Sequence, residues 1–353
     1  MRAQKWMTGG AGAVHAFENL CVPIPMKVFA VLAIVFTTFA ALADEIKVGI
    51  IGLDTSHAIA FTKTMNDTAA EGSLSDCKVV AAYPQGSKGI ESSVSRVPKY
   101  TEEIEKMGVE IVYSIPALVE KVDAVLLESN DGRPHLEQVL PVLKAKKRVF
   151  IDKPIAGSLA DAILIFKASE KYGVPLFSSS SLRYGPKSQE IRGGSIGKVT
   201  EAQTGSPASL EPSHPDLFWY GIHGVESLFT VMGTGCEKVT RAKTEEGMIR
   251  VEGIWNGGRK GAFEERKGYG GWAKGEKGES ECGSYPGYQP LVAEIAKYFT
   301  TGEIPVQPEE TLEIYAFMEA ADESKRLGGS EVKLESVMEK AGAEATSRLG
   351  EIE

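Results

Sequence analysis

Residues 123–154 read DAVLLESNDGRPHLEQVLPVLKAKKRVFIDKP, and their pattern decides the fold class. The apolar run Ala124–Leu127 is too short for a helix and predicts a buried strand. A polar turn, Ser129 to Pro134, follows it. From His135 to Lys146 the apolar residues Leu136, Val139, Leu140 and Leu143 recur at i, i+3, i+4 and i+7, which is one face of a helix. A second apolar run, Arg148–Ile151, ends in Asp152-Lys153-Pro154. Strand, helix and strand over about thirty residues make a βαβ unit, whose right-handed crossover sets the two strands parallel. Such sheets bind ligands beyond the carboxyl ends of their strands. The pattern therefore gathers Ser129, Asn130, His135, Asp152 and Lys153 on one rim.

The same rhythm extends in both directions. Upstream, EIKVGIIG (45–52) predicts a strand, and HAIAFTKTMN (57–66) predicts a helix. The turn Leu53-Asp54-Thr55-Ser56 between them offers several capping residues. CKVVAA (77–82) predicts a second strand, Val109–Tyr113 a short strand or loop, and Ile115–Lys121 a short helix. Downstream, Ser158–Tyr172 predicts an amphipathic helix and Val174–Phe177 a strand running into Ser178–Ser181. Alternation of strand and helix from residue 44 to 180 argues for a doubly wound parallel sheet.

The pattern changes from residue 181 onward. VTEAQTG, KVTRAKTE and MIRVEGIW are β-rich, which predicts a second α/β domain (181–353) with a largely antiparallel sheet. Helices are expected at Gly224–Met232, Pro290–Phe299 and Glu309–Leu327. The Gly-rich segment 256–289 carries Phe263, Tyr269, Trp272, Tyr285 and Tyr288. These aromatics suit either a loop that stacks on sugar faces or a meander that covers the sheet.

Composition is that of a globular protein: 42% hydrophobic and 25% charged residues, with a formal net charge of −9. Without a basic footprint, no nucleic-acid partner is expected. Met26-Lys27, the apolar run Val28–Phe39 and Ala41-Leu42-Ala43 read as a secretory signal (26–43) cleaved after Ala43. Residues 1–25 ahead of it are an extension or follow a start codon assigned too early. The apolar run is shorter than the roughly 20 residues a spanning helix needs, so no stable membrane insertion is expected after cleavage. An exported protein, periplasmic or extracellular, is the expectation. Beyond the signal, Cys77, Cys236 and Cys282 match no zinc spacing. Cys77 reads as a buried apolar residue, and a Cys236–Cys282 bridge is open. His57, His135 and His223 fall on predicted ligand-facing turns or helix starts, without metal-ligand spacing, so no metal site is expected. Arg183, after the serine run, suits a phosphate, carboxylate or sugar hydroxyl, or else a structural ion pair. No G-x-S-x-G elbow surrounds those serines, which removes the hydrolase reading.

Four segments together resemble the Gfo/Idh/MocA family, named for glucose–fructose oxidoreductase and inositol dehydrogenase. They are KVGIIG (47–52), VLLESNDGRPHLEQVLPVLKAKKRVFIDKP (125–154), GIHGVESLFTVMG (221–233) and GEIPVQPEETLEIYAFMEAADES (302–324). The resemblance implies a Rossmann domain followed by an α/β domain with an open-faced sheet. It also implies NADP or NAD as cofactor, a carbohydrate-like substrate, and hydride transfer to or from a sugar, polyol or derivative. Lys153 would orient the reacting hydroxyl, and His223 would act as general acid/base. Gly52, Asp54, Thr55, Ser56, His57, Ser129, Asn130, His135, Asp152 and Lys153 fall on the cofactor side, and Arg183, Trp219 and Tyr220 on the substrate side.

The dinucleotide fingerprint uses three glycines. Here Gly52 is followed by Asp54 and His57 in the other two places, which predicts a carboxylate facing the phosphates. Tyr83 stands near the usual ribose-binding acid, with Ser87 and Lys88 behind it as candidates for a 2′-phosphate or as a polar turn. Trp219 stands where the family has an acid four residues before its histidine, and Asp216 is out of register. Two further readings follow: a Rossmann-derived carbohydrate-binding protein without cofactor, or a lyase or epimerase reusing Lys153 and His223. An exposed sheet face in the second domain would suit a homo-oligomer.

Overall fold

The computed structural model of the protein describes residues 45–353. The signal read at 26–43 lies outside the described residues. The first sheet and its helices run β1 (Ile46–Ile51), α1 (Ser56–Met65), β2 (Cys77–Tyr83), α2 (Glu91–Lys106), β3 (Glu110–Ile111), α3 (Ile115–Val119), β4 (Ala124–Leu127), α4 (His135–Lys144), β5 (Arg148–Ile151), α5 (Leu159–Tyr172) and β6 (Leu176–Phe177). Its six strands are parallel in the order β3-β2-β1-β4-β5-β6, so the chain reverses direction between β1 and β4. This is the Rossmann order, and ligands bind at that reversal.

Alternation along the strands explains why helices cover both faces. Leu126 and Phe150 point to one side, with Val48, Ile50 and Phe61, while Val125, Leu127, Val149 and Ile151 point to the other, with Leu136, Val139 and Leu143. Each such side chain, fully buried, contributes about 1.5–3 kcal/mol. Thr55 and Ser158 cap α1 and α5 by accepting from His57 N and Asp161 N, as their residue types favour.

The second half continues with α6 (Pro186–Arg192), β7 (Val199–Ser206), α7 (Asp216–Trp219), α8 (Ile222–Met232), β8 (Cys236–Lys243), β9 (Ile249–Trp255), β10 (Arg259–Glu265), β11 (Gly270–Gly275) and β12 (Gly278–Cys282). It closes with α9 (Gln289–Thr301), α10 (Pro308–Arg326), β13 (Val332–Lys333) and α11 (Leu334–Ser347). Seven strands form the second sheet, in the order β12-β11-β7-β10-β9-β8-β13, antiparallel except for the β7–β10 pair. One face packs on α8, where a Cβ on Gly224 would lie 2.5 Å from Phe263. The other face presents Glu201, Lys260, Trp272 and Lys274 to solvent. Helix α9, although late in the chain, packs on the first sheet through Val292, Ile295 and Phe299.

The segment 256–289 is a meander of three strands with aromatic connections rather than one long loop. Cys77, Cys236 and Cys282 are buried free thiols, so no Cys236–Cys282 bridge forms. Among the described residues no helix is long and apolar enough to cross a membrane.

Candidate active site

Three strand ends build the floor of the site. Glu128 N donates to Ile51 O at 2.7 Å and Asp152 N to Leu127 O at 2.9 Å, so the chain beyond β1, β4 and β5 leaves the sheet in step. Gly52 is held at φ +96°, and a Cβ there would sit 2.4 Å from Ser129 N. Only glycine permits both the left-handed conformation and that approach. The β1–α1 turn is thereby pressed against the β4 exit.

Over this floor opens a cavity of ≈ 470 Å³. Its first-sheet side is Thr55, Ser56, His57, Ser92, Arg96, Asn130 and Lys153, and its second-sheet side includes Trp219, Tyr220, His223 and Tyr269. A separate cavity of ≈ 550 Å³, near Glu319, Arg326 and Lys340, contains none of the expected site residues.

Lys153 is 6% exposed and follows a strand whose residues are buried on both faces. His223 begins the second turn-facing wall, one residue into α8. Its Nδ1 is 2.7 Å from Ser180 Oγ, which fixes the ring and leaves Nε2 for the cavity. Burial, reinforced by Lys153 and His57, draws His223 well below its ordinary 6.5, so the imidazole is neutral at physiological pH. Tyr220 meets the His223 ring edge-on at 5.1 Å, and its hydroxyl is 2.9 Å from that of Tyr269. Trp219 meets the His214 ring at a tilt of 53°, with ring centres 4.9 Å apart.

Asp54 is turned differently from the sequence reading, and Arg183 takes one of the two roles left open for it. Asp54 does not face the cavity. It is fully buried, accepts from Ser93 Oγ at 2.7 Å and Asn130 N at 2.9 Å, and burial raises its pKa despite those bonds. The expected clash between its carboxylate and a phosphate is therefore removed. Arg183 is 2% exposed and pairs with Glu226 and Glu310, both at 2.7 Å. Of the two readings for Arg183, the structural ion pair is the one formed.

His135 pins the floor rather than lining the cavity: its nitrogens lie 3.1 Å from Ile155 O and 2.8 Å from Ser129 O, and burial lowers its pKa. Ser129 Oγ is engaged with Gln138 at 3.0 Å. Ser87 donates to Asp131 Oδ2 at 2.5 Å, Arg133 clamps the same carboxylate, and His214 Nε2 lies 3.2 Å from it. Lys88 is exposed. Asp216 pairs with Arg241 and Lys325, each at 2.6 Å.

The sequence reading missed Ser92, Arg96 and Ser209 in the cavity wall, and Glu128 in the floor. Arg96 sits on α2, a helix interrupted by Pro98 and left unread, and its Nη1 is 3.4 Å from Asp54 O. Tyr269, Tyr285 and Tyr288 were singled out, and all three line the cavity. Tyr288 packs on His57 at 4.7 Å.

Comparison with known proteins finds relatives of the first sheet and of the two-sheet fold. The profile of an oxidoreductase family with an NAD-binding Rossmann fold, Gfo/Idh/MocA, matches residues 46–180. Over that segment the chain is similar to the Gfo/Idh/MocA family. A myo-inositol 2-dehydrogenase of Thermotoga maritima is 33% identical over 136 residues, 36% of this chain. That match spans 40% of the curated relative's length. Among solved structures, a probable dehydrogenase of Thermotoga maritima superposes with TM-score 0.67 at 23% identity, covering 83% of this chain and all of the other. A scyllo-inositol dehydrogenase from Lactobacillus casei, bound to NAD(H) and scyllo-inositol, gives 0.65 at 16% identity, covering 82% and 99%. At these identities the superpositions establish the shared two-sheet fold.

A Gfo/Idh/MocA dinucleotide needs open backbone at the start of α1, where N–H groups and the helix dipole receive phosphate. Asp54 and His57, which replace two fingerprint glycines, are 0% and 7% exposed. Ser56 is exposed at the first position of α1, and Arg96 supplies a cation in the same wall. The residues present fit a dinucleotide, which the Ser56 hydroxyl and the Arg96 cation would meet at this wall.

Proposed function

We propose that the protein is an NAD(P)-dependent oxidoreductase acting on a sugar, polyol or related hydroxylated ring. The observation that carries this is the meeting of Lys153, from the end of β5, and neutral His223, from the start of α8, in one cavity with the α1 N-terminus. Thr55, Ser56, Asn130 and Arg96 would hold the dinucleotide. Bound there, nicotinamide supplies the hydride acceptor. The Lys153 ammonium donates to the reacting hydroxyl and stabilises the negative charge that grows on its oxygen. His223 Nε2 takes the hydroxyl proton as the carbon-bound hydrogen leaves with its electron pair. Tyr220, Trp219 and Tyr269 form an amphipathic wall suited to a hydroxylated ring. With a hydroxyl-rich substrate the Tyr220 and Tyr269 hydroxyls serve as neutral hydrogen-bond partners, and burial raises the pKa of Tyr269. The test is polyol-dependent reduction of NAD⁺ or NADP⁺ by the purified protein, with Lys153→Ala and His223→Gln as controls. Turnover abolished by either variant supports the reading, and an absence of turnover on inositols, aldoses and their acids counts against it.

A further inference from the structure

Beneath the cavity, one residue from each of three segments converges. They are His57 of α1, Glu128 just past β4 and Asp152 just past β5, and each offers a ligand atom within 4.8 Å of the others. Glu128 is 0% exposed, and both its carboxylate oxygens lack any hydrogen-bond partner. Asp152 is 1% exposed; its Oδ2 is 2.6 Å from His57 Nδ1, while its Oδ1 has no partner. Three buried carboxylate oxygens thus lack partners beside an imidazole, with Lys153 as the neighbouring cation. Buried carboxylates are normally paired, hydrogen-bonded or bound to a metal.

We propose that His57, Glu128 and Asp152 bind a divalent transition-metal ion of the zinc or manganese class. One imidazole nitrogen and two carboxylates are a borderline-to-hard donor set, which suits Zn²⁺ or Mn²⁺ and excludes soft Cu(I). Metal–ligand bonds of about 2.0–2.2 Å place donor atoms of a tetrahedral site about 3.4 Å apart, so the cluster closes by small rotations. Of the three residues only His57 lines the cavity, so an entering ion would pass its ring. The ion would tie the β1–α1 turn to the exits of β4 and β5, the three segments that shape the cofactor side of the cavity. This inference stands apart from the redox reading: a metal is compatible with cofactor binding or with its absence.

The test begins with the purified full chain, stripped with a chelator and dialysed against ZnCl₂, MnCl₂ or MgCl₂, each in turn. Metal per chain is read by plasma mass spectrometry, and thermal midpoint by calorimetry. About one Zn²⁺ or Mn²⁺ per chain, with a raised midpoint, is expected. Glu128→Gln keeps the shape but removes the charge, and should weaken binding at least about 10-fold. Cobalt(II) substitution of the unmutated chain gives a second readout independent of any variant's folding, a visible spectrum that excess Zn²⁺ displaces. No bound metal and no shift with any of the three ions would overturn the proposal and leave a proton shared between Glu128 and Asp152. Metal retained at full stoichiometry in both Glu128→Gln and His57→Gln would overturn it equally.

Discussion

Two buried charge clusters lie behind the cavity, and they are built on opposite rules. Behind the second-sheet wall, Glu226 accepts from Ser179 Oγ at 2.6 Å, Ser180 N at 2.7 Å and Arg183 Nε at 2.7 Å. Glu310 accepts from Arg183 at 2.7 Å and from Arg192 at 3.0 and 2.8 Å. Every carboxylate oxygen there has a donor. Beneath the first-sheet wall, Glu128 has none, and Asp152 has one satisfied oxygen of two. Burial and the neighbouring Asp152 push Glu128 well above the usual carboxylate range. The difference teaches what each is for. A network whose carboxylate oxygens are all satisfied, with only Arg183 Nη2 left over, holds Ser180, and through it the His223 ring, in one place. An unsatisfied one marks groups kept for a ligand or a reaction.

The sharpest way to break this contrast is to substitute on each side. Lys153→Ala, on the unsatisfied side, should cost about 10²- to 10⁴-fold in kcat, read by cofactor reduction at 340 nm with a hydroxylated substrate. Arg183→Met, on the satisfied side, should cost about 3–5 kcal/mol of stability by urea unfolding, because Glu226 and Glu310 lose their shared cation. Turnover by the Arg183→Met protein that remains folded should fall less than that of Lys153→Ala, because Glu226 keeps its bonds to Ser179 Oγ and Ser180 N, which hold the His223 partner. If the two variants exchange these phenotypes, the contrast fails.

Gly224→Ala probes the same second-sheet wall by packing alone. Its new Cβ would lie 2.5 Å from the Phe263 ring and 2.9 Å from Ser206 Oγ. Overpacking should cost about 1–3 kcal/mol and shift the helix that carries His223, lowering turnover as well as midpoint.

The remaining test is the dependence on pH. His135 and His223 ionise near 6.5 in the unfolded chain and lower when folded, because burial disfavours the imidazolium. Below pH 6.5 the unfolded chain therefore binds protons that the folded chain refuses. Stability is full above 6.5 and falls as pH drops toward the folded values, by up to about 1.4 kcal/mol per pH unit for each ring. Urea midpoints at pH 7.5, 6.0 and 5.0 measure this slope, and His223→Gln should flatten it.

The first sheet was readable because its strands are continuous apolar runs separated by turn chemistry: Ala124–Leu127 and Arg148–Ile151 match β4 and β5 to the residue. Lys153 and His223 were readable as candidates from their places in the family pattern. The direction of a side chain was not. Asp54 reads as a phosphate-facing carboxylate, and only the proximity of Ser93 and Asn130, at separations of 39 and 76 residues, turns it inward. Glu128 was passed over because it follows four apolar residues and looks like the first polar residue of a turn. Its burial depends on α1 and β5 folding over it. The strands β10–β12 were hidden by glycines and alternating charges, since an outer face bearing Lys260 and Lys274 carries no apolar signal.

The most direct test of the account is to denature the purified protein and assay the released small molecules for NAD(H) and NADP(H) by mass spectrometry, with titration of the refolded or cofactor-stripped chain alongside. The account predicts a dinucleotide bound at about one per chain, or micromolar binding on titration, held at an α1 terminus whose fingerprint glycines are replaced by inward-turned side chains. No released dinucleotide and no binding of either form would contradict it, and would leave Lys153 and His223 in a ligand-binding or non-redox site.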